Sequence, residues 1–404
     1  MKQLSITFLL TVLISMVGTK AFAHDIAVAN DDGVTIYYRF INNNTELEVV
    51  YRHTNYYSYS NEYTGNVVIP ESVTYSGQSY SVTGIGQYAF RGCNELTSIT
   101  IPSSVKSIIR PMLLEGCDNL SSIVVENGNT HYDSRDNCNA IIETESNMLI
   151  LGCKDTNIPN SVTSIYGGAF WFCRSLSSII IPHSVTSIGG QAFEGCSSLS
   201  SVTIGNSVKS IGDCAFRGCS SLASITIPNS VMSIGDYAFE NCGSLASITI
   251  GDSVTSIGSS AFRSCNSLVS VTLNCSEVGD WFKQNVHIKE VIFGDEVTSI
   301  SDNAFQNCDS LASVTIGNNV SYIGQDAFSG TPWHNSQLNG NGLVYVGKVA
   351  YKYNGSMPAN TSVIIEDGTL GIAPYAFSGY SDMVSISIPN SVKSIGSNAF
   401  YNCI

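Results

Sequence analysis

A 23-residue motif recurs along most of this chain. Val-x-Ser-Ile-Gly-x-x-Ala-Phe, then x-x-Cys-x-x-Leu, reads as Val185…Ile188-Gly189…Ala192-Phe193…Cys196…Leu199. It returns as Val208…Ile211-Gly212…Ala215-Phe216…Cys219…Leu222, and again from Val231 and from Val254. A fixed period of this length means one structural unit stacked on copies of itself. Each coil of such a solenoid contacts only its neighbours, so 404 residues need no single large core. The stack presents a long surface and no enclosed pocket, which argues for a binder before any catalytic residue is sought.

Within one coil, Leu222-x-x-Ile225-x-Ile227 ends in apolar–polar alternation and is rich in β-branched residues, so it reads as a strand. Pro228 halts ladder pairing or opens a turn. Val231-Met232-Ser233-Ile234 reads as a second short extended segment, closed by a sharp backbone turn at Gly235. The stretch from Asp236 to Phe239 is too short for a full helix and suits a turn or a single 3₁₀ segment. Ala-Phe pairs ending at Phe90, Phe170, Phe193, Phe216, Phe239, Phe262, Phe305, Phe328, Phe377 and Phe400 mark coils. With the degenerate Leu113-Leu114 and Trp281-Phe282 they make about twelve, and the Phe column should form an aromatic spine.

The first 23 residues read as a secretory signal: Lys2, an apolar run from Leu4 to Val17, and the small-x-small site Ala21-Phe22-Ala23, with cleavage after Ala23. The apolar run is shorter than the ~20 residues a membrane anchor needs. No later segment is long and apolar enough to span a bilayer, and no Cys follows the run to carry a lipid. Charged residues are only 12% of the chain, so Ser, Thr, Asn and Gly must supply solubility. The net charge of −14 leaves no basic footprint for nucleic acid and disfavours an acidic membrane surface.

Thirteen Cys in an exported chain would ordinarily mean disulfides. Nine of them, Cys93, Cys117, Cys173, Cys196, Cys219, Cys242, Cys265, Cys308 and Cys403, instead occupy the repeat position. Stacked coils give neighbouring Cys parallel Cβ vectors, whereas a disulfide needs them turned toward each other. These read as small buried hydrophobes in a ladder. No His accompanies them at metal-finger spacing, so no metal site is expected.

Residues 24–81 lack the repeat. Alternating runs at Val34–Phe40 and Leu47–Tyr51 flank the turn Asn42-Asn43-Asn44, which predicts an antiparallel β cap over the first coil. Residues 82–404 form the solenoid. It is broken by two predicted hairpins, at 126–160 and 329–368, which look like elaborations hung on one edge. In the first, Cys138 and Cys153 lie near the open end, roughly facing each other, which predicts a disulfide, with two unpaired thiols as the alternative. The chain stops at Ile404 just after a repeat Cys, which suggests a truncated array.

The consensus Leu-x-x-Ile-x-Ile-Pro-x-Ser-Val-x-x-Ile-Gly-x-x-Ala-Phe-x-x-Cys, seen whole in residues 222–242, resembles the BspA-like, or treponemal-type, leucine-rich repeat. The resemblance covers about residues 82–404. It implies a secreted or surface-exposed bacterial protein of a family in which some members are implicated in adhesion to host matrix proteins or other bacteria. It marks the fold far more specifically than any ligand.

No nucleophile elbow, His-Glu-x-x-His pair or phosphate loop is present, and no cofactor is implied. The six His fall in the cap, the insertions and one turn, never in a column. The expectation is a non-enzymatic binder of host or bacterial surface proteins. The alternatives are a glycan-binding module for nutrient capture and a structural envelope spacer. Two classes of candidate contact stand out. Outward strand positions, Ser224 and Thr226, Ser247 and Thr249, would stack into hydroxyl columns that either stabilise the sheet or meet a ligand. Exposed aromatics, Tyr56, Tyr57 and Tyr59 in the cap and Trp333 in the second insertion, would favour glycans if they form open platforms. Arg217, Glu240, Arg263 and Gln306 line a third, variable face.

Overall fold

The structure, a computed structural model, describes residues 24–52, 61–110 and 112–403. Residues 1–23, with the expected secretory signal, and Tyr56, Tyr57 and Tyr59 lie outside the described residues. The chain divides into two compact units, Met1–Ser146 with Ile150–Thr156, and Asn147–Leu149 with Asn157–Ile404.

The first unit opens with the antiparallel strands Ile26–Ala29, Thr35–Ile41 and Glu46–Val49. Parallel stacking begins before residue 82. Glu46–Val49 pairs in parallel with Gln78–Ile85, which pairs in parallel with Ser107–Ile108. Gly65–Val68 pairs in parallel with Leu96–Ile101, and that strand with Ser122–Val125. Val67-x-Ile69-Pro70-x-Ser72-Val73 is thus already a coil. An antiparallel hairpin, Ser72–Tyr75 with Gln78–Ile85, interrupts it before its Ala-Phe segment. Tyr63 is fully buried on Phe90 (5.2 Å between ring centroids), and its hydroxyl donates to Val50 O at 3.2 Å.

The second unit is a β-solenoid whose strands are in register coil after coil: Ser187↔Ser210↔Ser233↔Ser256 on the short strands. On the longer strands the register is Ser224↔Ser247↔Ser270. The aromatic spine is present. Phe170, Phe193, Phe216, Phe239 and Phe262 stack with centroids 4.9–5.6 Å apart and planes within 11°. Ile-Gly is required because a Cβ on Gly212 would sit 2.5 Å from Gly190 N of the preceding coil.

The insertions are not edge decorations. Met148 and Leu149 pair in parallel with Ser164 and Ile165, and Val349 and Ala350 with Gly371 and Ile372. The second hairpin, Gly342–Val346 with Val349–Asn354, is antiparallel as the alternation implies, but its return strand is a rung of the ladder. With these two rungs the coils number about 14 instead of twelve.

The Ala-Phe segment is a ribbon of turns with no 3₁₀ helix among the described residues. Gln191, Cys214 and Tyr237 are left-handed (φ 60°, 56°, 55°), and so are Gly195, Gly218 and Asn241 (φ 74°, 73°, 60°). These alternations aim N–H groups at the next coil. Gln191, Phe193 and Gly195 each donate at 2.8 Å to Asp213, Ala215 and Arg217 O. On the strand side the direction reverses, with Lys209 N donating to Thr186 O at 2.7 Å. A coil such as 185–207 therefore pairs its backbone with a neighbour on both the ribbon and the strand side, as buried peptide groups must.

Candidate interaction surface

The hydroxyl columns form as the alternation requires. Ile225 and Ile248 point into the core, while Ser224, Thr226 and Ser247 are exposed and Thr249 is half-buried. Thr272 and Thr315 extend the Thr column, with Ile292 between them in register. At the other end Ile180 stands opposite Thr203 and is 68% exposed, an apolar knob where the column elsewhere carries a hydroxyl. No charged side chain stands in the Thr column from Thr203 to Thr315.

The column is interrupted once in a way the alternation does not reveal. Ser178–Ile181 pairs with Ser201–Ile204, and Ser224–Thr226 begins a separate five-stranded sheet. No hydrogen bond joins the two, and the strands flank a groove of about 680 Å³. Ser201, Thr203, Asn206, Ser224, Thr226 and Asn229 line it. Pro228 contributes to the break because it has no N–H to offer the preceding coil. The short-strand ladder and the Phe stack continue past it, since Ser210↔Ser233 stays paired and Phe216 lies 5.3 Å from Phe239.

The variable face is not a set of free charges. Arg217 bridges Glu240 (Nε–Oε2 2.9 Å) and approaches Glu194 (Nη1–Oε1 3.6 Å), and Arg263 approaches Glu240 (Nη1–Oε1 3.7 Å). Glu194 and Glu240 are mostly buried. Charges that alternate from coil to coil neutralise one another across the stack, and the sequence reading missed this because it took the positions one at a time.

The Cys ladder carries more than apolar volume. Cys196, Cys219, Cys242 and Cys265 place Sγ 3.1–3.3 Å from the carbonyl oxygens of Phe170, Phe193, Phe216 and Phe239. Each thiol donates to the Ala-Phe turn one coil back. Burial pushes the thiols of Cys219 and Cys265 up to about 12, so they stay protonated and inert. Cys138 and Cys153 are free as well. Cys138 Sγ faces Ala140 O at 3.6 Å and Cys153 Sγ faces Asn139 O at 3.3 Å, each held by a local carbonyl and not by the other thiol.

Trp333 sits in the short helix Pro332–Gln337, capped by Thr331 Oγ1, which accepts from His334 N at 3.0 Å. It is half-buried with its ring edge against Phe328 (4.9 Å, 65°), so it closes one run of the Phe spine and forms no open platform. Among the described residues no His/Cys/Asp/Glu cluster could hold a metal, and no helix is long and apolar enough to cross a membrane.

A leucine-rich repeat protein from Bacteroides ovatus is 25% identical over 94% of this chain and 93% of its own, with a TM-score of 0.47. A leucine-rich cell surface protein from Faecalibacterium prausnitzii is 22% identical over 94% and 92%, with a TM-score of 0.37. The pneumococcal vaccine antigen PcpA is 16% identical over 94% and 86%, with a TM-score of 0.35. No curated protein matches the chain. The family description "BspA type leucine rich repeat region" matches residues 52–145, 141–269, 192–307, 232–358 and 345–404. Because that match runs across the coils of both units, the chain belongs to the BspA-type leucine-rich repeat family.

Proposed function

We propose that this protein is an exported, non-enzymatic scaffold that makes protein–protein contacts, including adhesion, at the bacterial surface. The observation that carries the reading is the Ser/Thr face. Ser224, Ser247 and Ser270 align in one column and Thr226, Thr249 and Thr272 in another, on a sheet whose Thr column carries no charge. Such a face offers many hydrogen bonds without a cost for desolvating ions, which suits a broad protein contact. The inert thiols and the mutually neutralised Glu–Arg column supply neither a nucleophile nor an acid–base pair.

The test is binding of mature residues 24–404 to immobilised matrix proteins and to a glycan array, for the wild type and for Thr226→Glu/Thr249→Glu. Binding to a protein that the double substitution weakens at least ~10-fold supports the reading. Binding to glycans alone, competed by free sugar, overturns it in favour of a glycan module, a reading to which the neutral groove between Ser201–Ile204 and Ser224–Thr226 lends support. No binding to either class leaves a spacer as the function.

A further inference from the structure

Within the array the ribbon of turns loses its acceptors where the period shortens, and three main-chain donors are left uncovered there, as the Asp326, Phe328 and Gly330 N–H groups are before the second insertion. Between Ser270 and Glu290 the register advances only 20 residues instead of 23. On the coil before this, Tyr237, Phe239 and Asn241 donate to Ser259, Ala261 and Arg263 O at 3.0, 2.8 and 2.9 Å. The equivalent groups 23 residues later are the N–H of Ser260, Phe262 and Ser264, and none of them has a hydrogen-bond partner. Pairing resumes beyond the short coil, where Asn303, Phe305 and Asn307 donate to Gln325, Ala327 and Ser329 O at 2.9, 2.7 and 2.8 Å.

These N–H groups belong to a ribbon in which Ser260 and Ser264 are left-handed (φ 56° and 58°). In the regular coils that conformation points alternate N–H groups to the same side. N–H groups presented on one side of a ribbon with left-handed residues can form an anion-binding concavity. Ser260, Phe262 and Ser264 line a cavity of about 490 Å³ together with Arg263, Lys283, His287 and Trp281. Arg263, which also approaches Glu240 at 3.7 Å, and Lys283 bring two cations to the lining against one carboxylate, Asp280. Trp281 borders the cavity with its indole close over Gly279, where a Cβ would lie 2.6 Å from Nε1.

We propose that this cavity binds a tetrahedral oxyanion, a sulfate or phosphate group, which takes the Ser260, Phe262 and Ser264 N–H groups and is neutralised by Arg263 and Lys283. Charge-assisted hydrogen bonds to such an anion are stronger than neutral ones. The anion would supply the acceptors that the missing residues of the short coil fail to provide. Because the ion pairs would be partly exposed, salt should weaken binding.

The test uses the full mature chain, titrated with inorganic sulfate, inorganic phosphate and a sulfated disaccharide, and followed by amide NMR and calorimetry. Saturable binding that shifts the Ser260, Phe262 and Ser264 amides, weakened about tenfold by Lys283→Gln or Arg263→Gln but less than about twofold by Lys289→Gln outside the cavity, supports the site. Tighter binding of the sulfated sugar than of sulfate assigns a glycan sulfate ester as the source, and equal binding assigns the free ion. Amides that do not move in the wild type, or binding equally weakened by Lys289→Gln, overturns the proposal. Unchanged melting of each variant shows that it is folded.

Discussion

The coils from Val185 to Leu245 and the coil from Val254 to Leu268, which faces the short coil, share the same stacking, yet they dispose of their backbone groups differently. In the regular run, N–H groups of the Ala-Phe ribbon point to the next coil, strand N–H groups to the previous one, and Cys thiols to a turn carbonyl. Apart from the outward Ser and Thr side chains and the gap between Ser201–Ile204 and Ser224–Thr226, the stack itself consumes these groups. Where the period shortens, the same ribbon keeps its conformation and loses its acceptors. Repetition therefore builds a stable scaffold with one uniform outward hydroxyl face, while a coil three residues short turns structural donors into available ones.

The regular side of this contrast should break hardest at the spine. Phe216→Ala empties a fully buried position between rings 5.1 and 5.3 Å away and should cost about 3–5 kcal/mol, read as a lower unfolding midpoint. An unchanged midpoint would mean that the spine is not the core. Cys219→Val keeps the volume but removes the donor to Phe193 O, so a loss of about 1 kcal/mol is expected, with Cys219→Ser retaining more stability than Cys219→Ala. Arg217→Gln strips partners from Glu194 and Glu240, but Arg217 is itself largely solvated, so a loss below about 1 kcal/mol, shrinking in high salt, is the expectation.

Alkaline pH probes the ladder from another side. The folded thiols of Cys219, Cys265 and Cys308 sit at about 12, above the ordinary value of 9.0, because burial penalises the thiolate. A raised folded value means that this contribution to stability is fully present below pH 9 and is lost as pH climbs toward 12. Denaturation midpoints should fall across that window, and in a Cys219→Ala variant they should fall less steeply. Thiol labelling complements this: native protein should react slowly, and denatured protein without reductant should expose all 13 thiols, Cys138 and Cys153 included. Eleven would point to a disulfide between those two.

Much of this was legible in the residues. Ile-Gly, Ala-Phe and Cys recur because each has one job per coil, and the 23-residue spacing alone puts the Phe rings and thiols in columns. Ser224-x-Thr226 likewise gave the outward hydroxyl face through simple alternation. Other features depend on partners that no local pattern names. Val67-x-Ile69-Pro70 starts a coil, but the hairpin after it hides the motif. Met148-Leu149 and Val349-Ala350 carry no repeat signature and become rungs only because their backbones are extended in the right place. The twenty residues from Phe262 to Phe282 were countable, but which N–H groups that spacing would uncover depended on the reversed bonding direction of the ribbon.

Residue-resolved amide hydrogen exchange tests most directly whether broken periodicity leaves donors open. The Cys214, Phe216 and Gly218 amides, each bonded at 2.8 Å to the next coil, should be strongly protected. The Ser260, Phe262 and Ser264 amides, two coils further on, should exchange at least ~100-fold faster in the absence of an anion. Equal protection of the two sets would contradict the account.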